Sequence, residues 1–190
     1  SGASNVRILE ETLVKEVRPE KIITDKGEFG YKYLVGADGA TSVVRKYLGL
    51  GSKFSIGLRY KIPEMADEVE WHFYPKILGA GYVWIFPHKD HTNVGIFFET
   101  KDSSVERAKA ILKDFLEKKR FSAPSQDPEA AVLNFDYKGC VFKNIFLAGE
   151  AAGLTSRTTG EGIAPALISG REVGMKIIDP GYDMPLLKKI

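Results

Sequence analysis

The sequence predicts a mixed α+β and α/β protein, with an α/β part drawn from both ends of the chain and an antiparallel sheet with one packed helix between them. Three observations carry this. Short apolar runs at residues 31–36 and 144–148 each lead into a turn of glycine and an acid, with helical patterning beyond. Four runs of strand character between residues 55 and 99 sit at hairpin spacing, as in an antiparallel sheet. A long amphipathic run then follows residue 103 with the period of a helix.

In chain order, residues 6–9, 13–17 and 21–24 read as strands separated by charged turns, with Asp25-Lys26-Gly27 a turn signal. Residues 31–36 (Tyr-Lys-Tyr-Leu-Val-Gly) form a strand whose apolar finish suits burial on both faces of a parallel sheet. A helix starts at Ser42 and stops before Gly49. Strands are expected at 55–62, 68–74, 81–86 and 93–99, with Lys89-Asp90-His91-Thr92 as turn material. Ser103 reads as an N-cap with Glu106 three residues on, a capping box. Val105, Ala108, Ile111, Leu112, Phe115 and Leu116 then share one face, and Lys118, Lys119 and Arg120 complement the helix C-terminus. Residues 131–137 and 144–148 read as strands, and a helix runs from Gly160–Ile163 to about residue 178. The boundaries implied are 1–50, 51–138 and 139–190.

Composition narrows the function. In 190 residues, 27 Lys and Arg against 25 Asp and Glu leave a net charge of +2, which removes the usual electrostatic case for a nucleic-acid partner. Cys140 is the single cysteine and there are three histidines, so no internal disulfide forms and no metal site is expected. No apolar run approaches the ~18 residues of a membrane span. Ser1-Gly2-Ala3-Ser4 carries no secretory signal pattern and reads as a cut end. A cytoplasmic location is the default expectation.

Three segments carry chemistry. The first is residues 34–45, in which a strand ends at Gly36-Ala37-Asp38-Gly39 before the Ser42 helix. Asp38 and Gly39 there either sit beside a diphosphate or ribityl chain at the helix N-terminus, or form a tight turn with Asp38 as a cap. The second is Gly149-Glu150-Ala151-Ala152-Gly153, followed by Gly160-Glu161-Gly162-Ile163. Small residues after Glu150 let a ligand approach the backbone, and N–H groups at Gly162 and Ile163 would face something electron-rich. A flexible surface loop explains the glycines but not the order acid-small-small-Gly. The third is Tyr82-Val83-Trp84-Ile85-Phe86-Pro87, then seven residues, then Gly95. Alternation puts Tyr82, Trp84 and Phe86 on one strand face, where they line an apolar channel or pack a core.

The first two segments resemble the paired fingerprints of FAD-dependent oxidoreductases of the glutathione-reductase-like class. The third resembles the Tyr-x-Trp-x-Phe-Pro-x(7)-Gly-x-Gly element of geranylgeranyl reductases. Together they cover residues 6 to about 178. The resemblance implies a partial FAD-binding α/β domain (1–50 and 139–190) and an antiparallel substrate domain (51–138). It implies reduction of isoprenoid C=C bonds by hydride from FAD, with reduced nicotinamide or a ferredoxin as electron donor. Asp38, Gly39, Gly149, Glu150, Gly160, Glu161, Gly162 and Ile163 would be the cofactor residues, and Tyr82, Trp84, Phe86 and Pro87 would meet an isoprenoid lipid, with peripheral membrane contact. Arg45 and Ser42 are expected to be structural. No catalytic side chain is assigned.

The departures are specific. Glu150 stands where the family usually has Asp, Arg157 where proline is common, Gly79 where the third motif would begin with proline, and Phe97 where it would end in glycine. The strand-Gly-x-Gly-x-x-Gly element that holds the FAD diphosphate is missing. The chain therefore reads as the family without its N-terminal dinucleotide-binding half, expected as it stands to hold no FAD, to be inactive alone, and to have an unpaired sheet edge open to self-association. The alternatives are a relative of flavin monooxygenases or halogenases, or a non-catalytic ligand-binding domain.

Overall fold

A computed structural model describes residues 5–189, so the first four residues, read above as a cut end, lie outside it. The chain opens on a small antiparallel sheet of β1 (Val14–Arg18), β2 (Lys21–Thr24) and β3 (Gly27–Gly30), in the order β1-β2-β3. The turn at Asp25-Lys26 is where the sequence places it. The return strand Gly-Glu-Phe-Gly was not expected, because it lacks an apolar alternation. Residues 6–9, expected as a strand, have no ladder partner and sit exposed.

Next come β4 (Leu34–Gly36) and α1 (Val43–Tyr47). β4 is shorter than the expected 31–36 run. Then follow β5 (Phe54–Ile62), β6 (Glu70–Phe73), α2 (Pro75–Leu78), β7 (Tyr82–Pro87) and β8 (Thr92–Glu99). α3 spans Val105–Lys118 and β9 spans Glu129–Asn134. The N-cap of α3 is Ser104, not Ser103: its hydroxyl accepts from the Arg107 N–H at 3.2 Å. The chain closes with β10 (Val141–Phe142), β11 (Ile145–Leu147), α4 (Gly149–Ala152) and α5 (Ile163–Ile178).

Strands β5 to β9 form one antiparallel sheet in the order β6-β7-β8-β5-β9. Alternation divides its residues cleanly. Leu58, Ile62, Val83, Ile85, Val94, Ile96 and Phe98 pack against Ala108, Leu112, Phe115 and Leu116 of α3. Each such large side chain contributes roughly 1.5–3 kcal/mol on burial, so this face is the main core. The opposite face carries a cleft.

β4 and β11 pair in parallel, with Leu34 opposite Ile145, Val35 opposite Phe146 and Gly36 opposite Leu147. Two segments more than 100 residues apart thereby join one sheet, ordered β10-β11-β4. α1 lies tight on β4 at Gly36, where a methyl group would come within 2.7 Å of the Val44 side chain. The expectation that 31–36 is buried on both faces fails at Val35, which is 41% exposed. β4 is the sheet edge among the described residues, with no second neighbour to cover it.

Candidate functional site

On the sheet face away from α3, a cleft of about 470 Å³ is lined by Tyr82, Trp84 and Phe86 on one side and Ala131, Leu133 and Glu129 on the other. Its floor is made of small residues. Trp84 on β7 pairs across the ladder with Gly95 on β8, and its indole lies over that glycine. A methyl group at position 95 would fall inside the indole and 2.5 Å from the Leu58 carbonyl oxygen. The seven-residue spacing from Pro87 to Gly95 is thus a hairpin register that puts an absent side chain under an aromatic one. Gly57 on β5 continues the floor, with Trp84 at 3.9 Å from where its Cβ would be.

All three motif aromatics border the cleft, together with Thr159 and Gly160. The Tyr82 hydroxyl donates to the Thr159 carbonyl at 2.6 Å, and burial raises the Tyr82 pKa, so the phenol stays neutral and a donor. Phe97, where the family motif would end in glycine, stacks obliquely on Tyr82 with centroids 5.4 Å apart. It also supports Gly160, whose Cβ would meet the Phe97 ring at 3.4 Å. The glycine loop is therefore seated on the cleft wall. Pro87 does not line the cleft; it ends β7 opposite Thr92.

Beyond this loop, α5 starts at Ile163 with Gly162 as N-cap and no side-chain cap. The N–H groups of Ile163 and Ala164 make no hydrogen bond among the described residues, a setting suited to an electron-rich partner. Glu161 is exposed and Ile163 is 80% exposed. Glu150 faces the same loop: its Oε1 accepts from the Thr155 hydroxyl at 3.1 Å and would lie 3.8 Å from a Cβ on Gly162.

The first fingerprint behaves differently. Asp38 Oδ2 accepts from the Val43 N–H at 2.7 Å, and Ser42 Oγ accepts from Arg45 N–H at 2.9 Å. These bonds use donors at the start of α1 that an anion would need, so Asp38 acts here as a cap. Gly39 takes φ +78° in the turn, a conformation that favours glycine. Gly149 likewise serves packing: its N–H is bound to the buried Ser169 hydroxyl at 2.9 Å, and a methyl there would press on Ala166 of α5 at 3.2 Å.

The buried Arg45, expected to be structural, ties these pieces together. Its guanidinium donates to the carbonyls of Gly51, Ala151 and Asp136 at 2.5 to 3.1 Å, with the Asp136 carboxylate 3.8 Å away. The glycine loop is fastened separately by Arg157, which forks onto the buried Glu99 at the end of β8 at 2.6 and 3.2 Å. Arg157, the departure from proline, thus replaces a rigid backbone with an ion pair. Hydrogen bonding to Arg157 holds the Glu99 carboxyl below its usual 4.5. A depressed carboxyl stabilises the fold above its unfolded pKa, and that contribution is lost as pH falls through the folded value. Unfolding measured from pH 6 downward should therefore show a loss of stability setting in below about pH 4.5, and Glu99→Gln should flatten that limb. An unchanged acid limb in the variant would show that the pair is not coupled to folding.

Sequence reasoning missed Gly57, Arg59, Phe97, Glu129 and Leu133 as cleft walls. The visible signals were a glycine inside a strand and a phenylalanine in a glycine position; the rest follows from sheet order. Among the described residues there is no cluster able to hold a metal, and no helix is long and apolar enough to cross a membrane.

Comparison with known proteins agrees with this geometry. Residues 55–134 match the family model of the geranylgeranyl reductase catalytic domain. An uncharacterized protein of Methanosarcina barkeri is 29% identical over 78% of this chain and 40% of its own length. A digeranylgeranylglycerophospholipid reductase of Methanococcus vannielii is 29% identical over 83% of this chain and 45% of its own. The chain thus spans about half the length of the curated relatives it matches. Among solved structures, a geranylgeranyl bacteriochlorophyll reductase-like protein of Thermoplasma acidophilum aligns with TM-score 0.69 and 23% identity, over 96% of this chain and 50% of that one. A flavin-dependent halogenase from a Brevundimonas species aligns with TM-score 0.65 and 17% identity over 94% and 39%. These structures share the fold, while the catalytic-domain match falls on the strands that build the cleft. The chain is thus similar to geranylgeranyl reductases, and the similarity to their catalytic-domain model falls on residues 55–134.

Proposed function

We propose that this chain supplies the prenyl-binding sheet and the flavin-facing helix end of a FAD-dependent oxidoreductase that reduces isoprenoid C=C bonds. One observation carries the proposal: the aromatic row of β7 lines a cleft that ends at Thr159–Gly160, beside the uncapped N-terminus of α5. An apolar cleft with few convergent polar groups suits a lipid tail. Bound FAD supplies the hydride. The residues present fit the ribityl and ring end of such a cofactor. Glu150 would meet the ribityl hydroxyls, and the N–H groups of Ile163 and Ala164 would face the pyrimidine edge, where charge builds on reduction. Gly160, Glu161 and Gly162 would form the backbone wall between cofactor and lipid. Asp38 and Gly39 would act through the loop they shape, and Gly149 through the packing of α4 on α5. Electrons would come from reduced nicotinamide or a ferredoxin, as the family resemblance implies.

The lipid would enter from the sheet edge. Trp71 and Phe73 on β6 are 53% and 65% exposed; Trp71 meets Phe86 edge-on with centroids 5.4 Å apart, and Phe73 meets Tyr82 at a tilt with centroids 5.8 Å apart. The wall aromatics therefore continue outward to a surface suited to peripheral contact with a membrane. Self-association would use the other open edge, at β4.

The test is lipid binding. Farnesol, titrated calorimetrically below its aggregation limit, should bind the chain, and Trp84→Ala should weaken it about tenfold or more, since an aromatic dominates such a contact. Equal affinity in the variant would refute the cleft as the lipid site.

A further inference from the structure

Ten of the twelve residues that line the cleft are uncharged. The two charged ones, Arg59 on β5 and Glu129 on β9, are directly paired in the ladder and sit together on the rim. Both Nε and Nη2 of Arg59 bond a single carboxylate oxygen, Glu129 Oε2, at 2.8 and 2.7 Å. A guanidinium has five N–H donors, and Nη1 makes no bond among the described residues. One edge of the fork is therefore held by Glu129 while the other remains free.

The register fixes where this edge stands. Arg59 is opposite Gly95, in the same cross-sheet row as Trp84. Gly57, Phe97 and Tyr82 form the adjacent row, toward Gly160. The cleft thus has an apolar body and one cationic end. Lys61, two residues along β5 on the same face, adds a second cation, and its charge helps to hold Glu129 ionised. On this stretch of β5 and β9 Arg59 and Lys61 outnumber Glu129 by one charge, with Asp90 in electrostatic range of Lys61 at the hairpin beyond. An apolar tail with an anion at its head is the ligand that fits both ends.

We propose that Arg59 anchors the phosphate of a prenyl phosphate ester, with Glu129 as a positioning residue that holds the guanidinium in place. This rests on the prenyl cleft proposed above. A planar fork offering two parallel N–H groups matches a phosphate better than a point charge does. A prenyl diphosphate and an isoprenoid phospholipid headgroup present the same chemistry.

The experiment compares farnesyl diphosphate with farnesol on the full chain by calorimetry. Wild type should bind the diphosphate at least tenfold more tightly. Arg59→Gln should erase that difference and leave farnesol affinity unchanged. Glu129→Gln, whose amide oxygen still accepts from the guanidinium, should keep or widen the difference because a like charge beside the phosphate is removed, whereas Glu129→Ala, which releases the guanidinium, should shrink it; an undiminished preference in Glu129→Ala would overturn the positioning role. Titration with a digeranylgeranyl glycerophosphate, whose preference should also depend on Arg59, identifies which source the site takes. Equal loss for both farnesyl ligands in Arg59→Gln, or a diphosphate preference that survives it, would overturn the anchor. Binding of neither ligand to wild type would overturn the cleft itself, and with it the anchor; intact farnesol binding with no diphosphate preference would overturn the anchor alone.

Discussion

Gly95→Ala is expected to destabilise the protein by about 3 kcal/mol, toward the upper end of overpacking effects, although it adds a single carbon. The new methyl would overlap the Trp84 indole and approach the Leu58 carbonyl oxygen to 2.5 Å. The carbonyl belongs to β5, whose register with β8 runs unbroken over eight pairs, so it has little freedom to retreat. Trp84 can move only by lifting off the glycine floor of the cleft, which costs its packing on Phe86, with rings stacked at 5.8 Å. Gly170→Ala in α5 provides the contrast. Nothing lies within 4 Å of its added methyl, so the helix should gain up to about 1 kcal/mol from better propensity. Denaturant midpoints with tryptophan emission check both. A Gly95→Ala protein with a wild-type midpoint would mean that the indole is not seated on that glycine.

Arg45→Met should cost about 3–5 kcal/mol, the range for breaking a buried charged network from one side. Methionine keeps much of the volume but leaves three carbonyls, those of Gly51, Ala151 and Asp136, without the donor they share. It also leaves the Asp136 carboxylate near the gap, with Lys138 as its remaining partner at 3.0 Å. Arg45→Lys should fall between, because one ammonium cannot span carbonyls on three segments at once. The loss should appear as faster amide exchange in α4 and the β9 end as well as in the global midpoint. A total cost under 1 kcal/mol would show that water replaces the guanidinium there.

Arg45 also marks where sequence reasoning reached its limit. The helix start at Ser42, the hairpins of the central sheet and the amphipathic α3 are local patterns, and they could be read directly because period and capping act over a few residues. The aromatic motif could be placed on one strand face for the same reason. Which face became a cleft could not, since alternation alone leaves channel and core equivalent. Packing of α3 decided it: α3 covers the Val83–Ile85 face and leaves Tyr82, Trp84 and Phe86 to the other.

The Asp38 turn shows the opposite case. Its residues suit an anion site or a cap equally well, and only the 2.7 Å bond to Val43 N–H separates them. Likewise the similar strand-turn patterns of the two runs suit a parallel sheet, but that Leu34–Gly36 pairs with Ile145–Leu147 and that Val35 stays exposed depend on what lies beside β4. The sequence by itself determined α1, α3, α5, the hairpins of the central sheet, the strand face of the aromatic motif and the family resemblance, because these rest on short-range sterics and hydrophobic period. The tertiary structure alone decided which residues meet across the sheet: Arg59 with Glu129, Arg157 with Glu99, and Arg45 with three carbonyls. Apart from the Arg45–Gly51 contact, which is six residues apart, these pairs join residues 58 to 106 positions apart, and no local propensity encodes a contact at that separation.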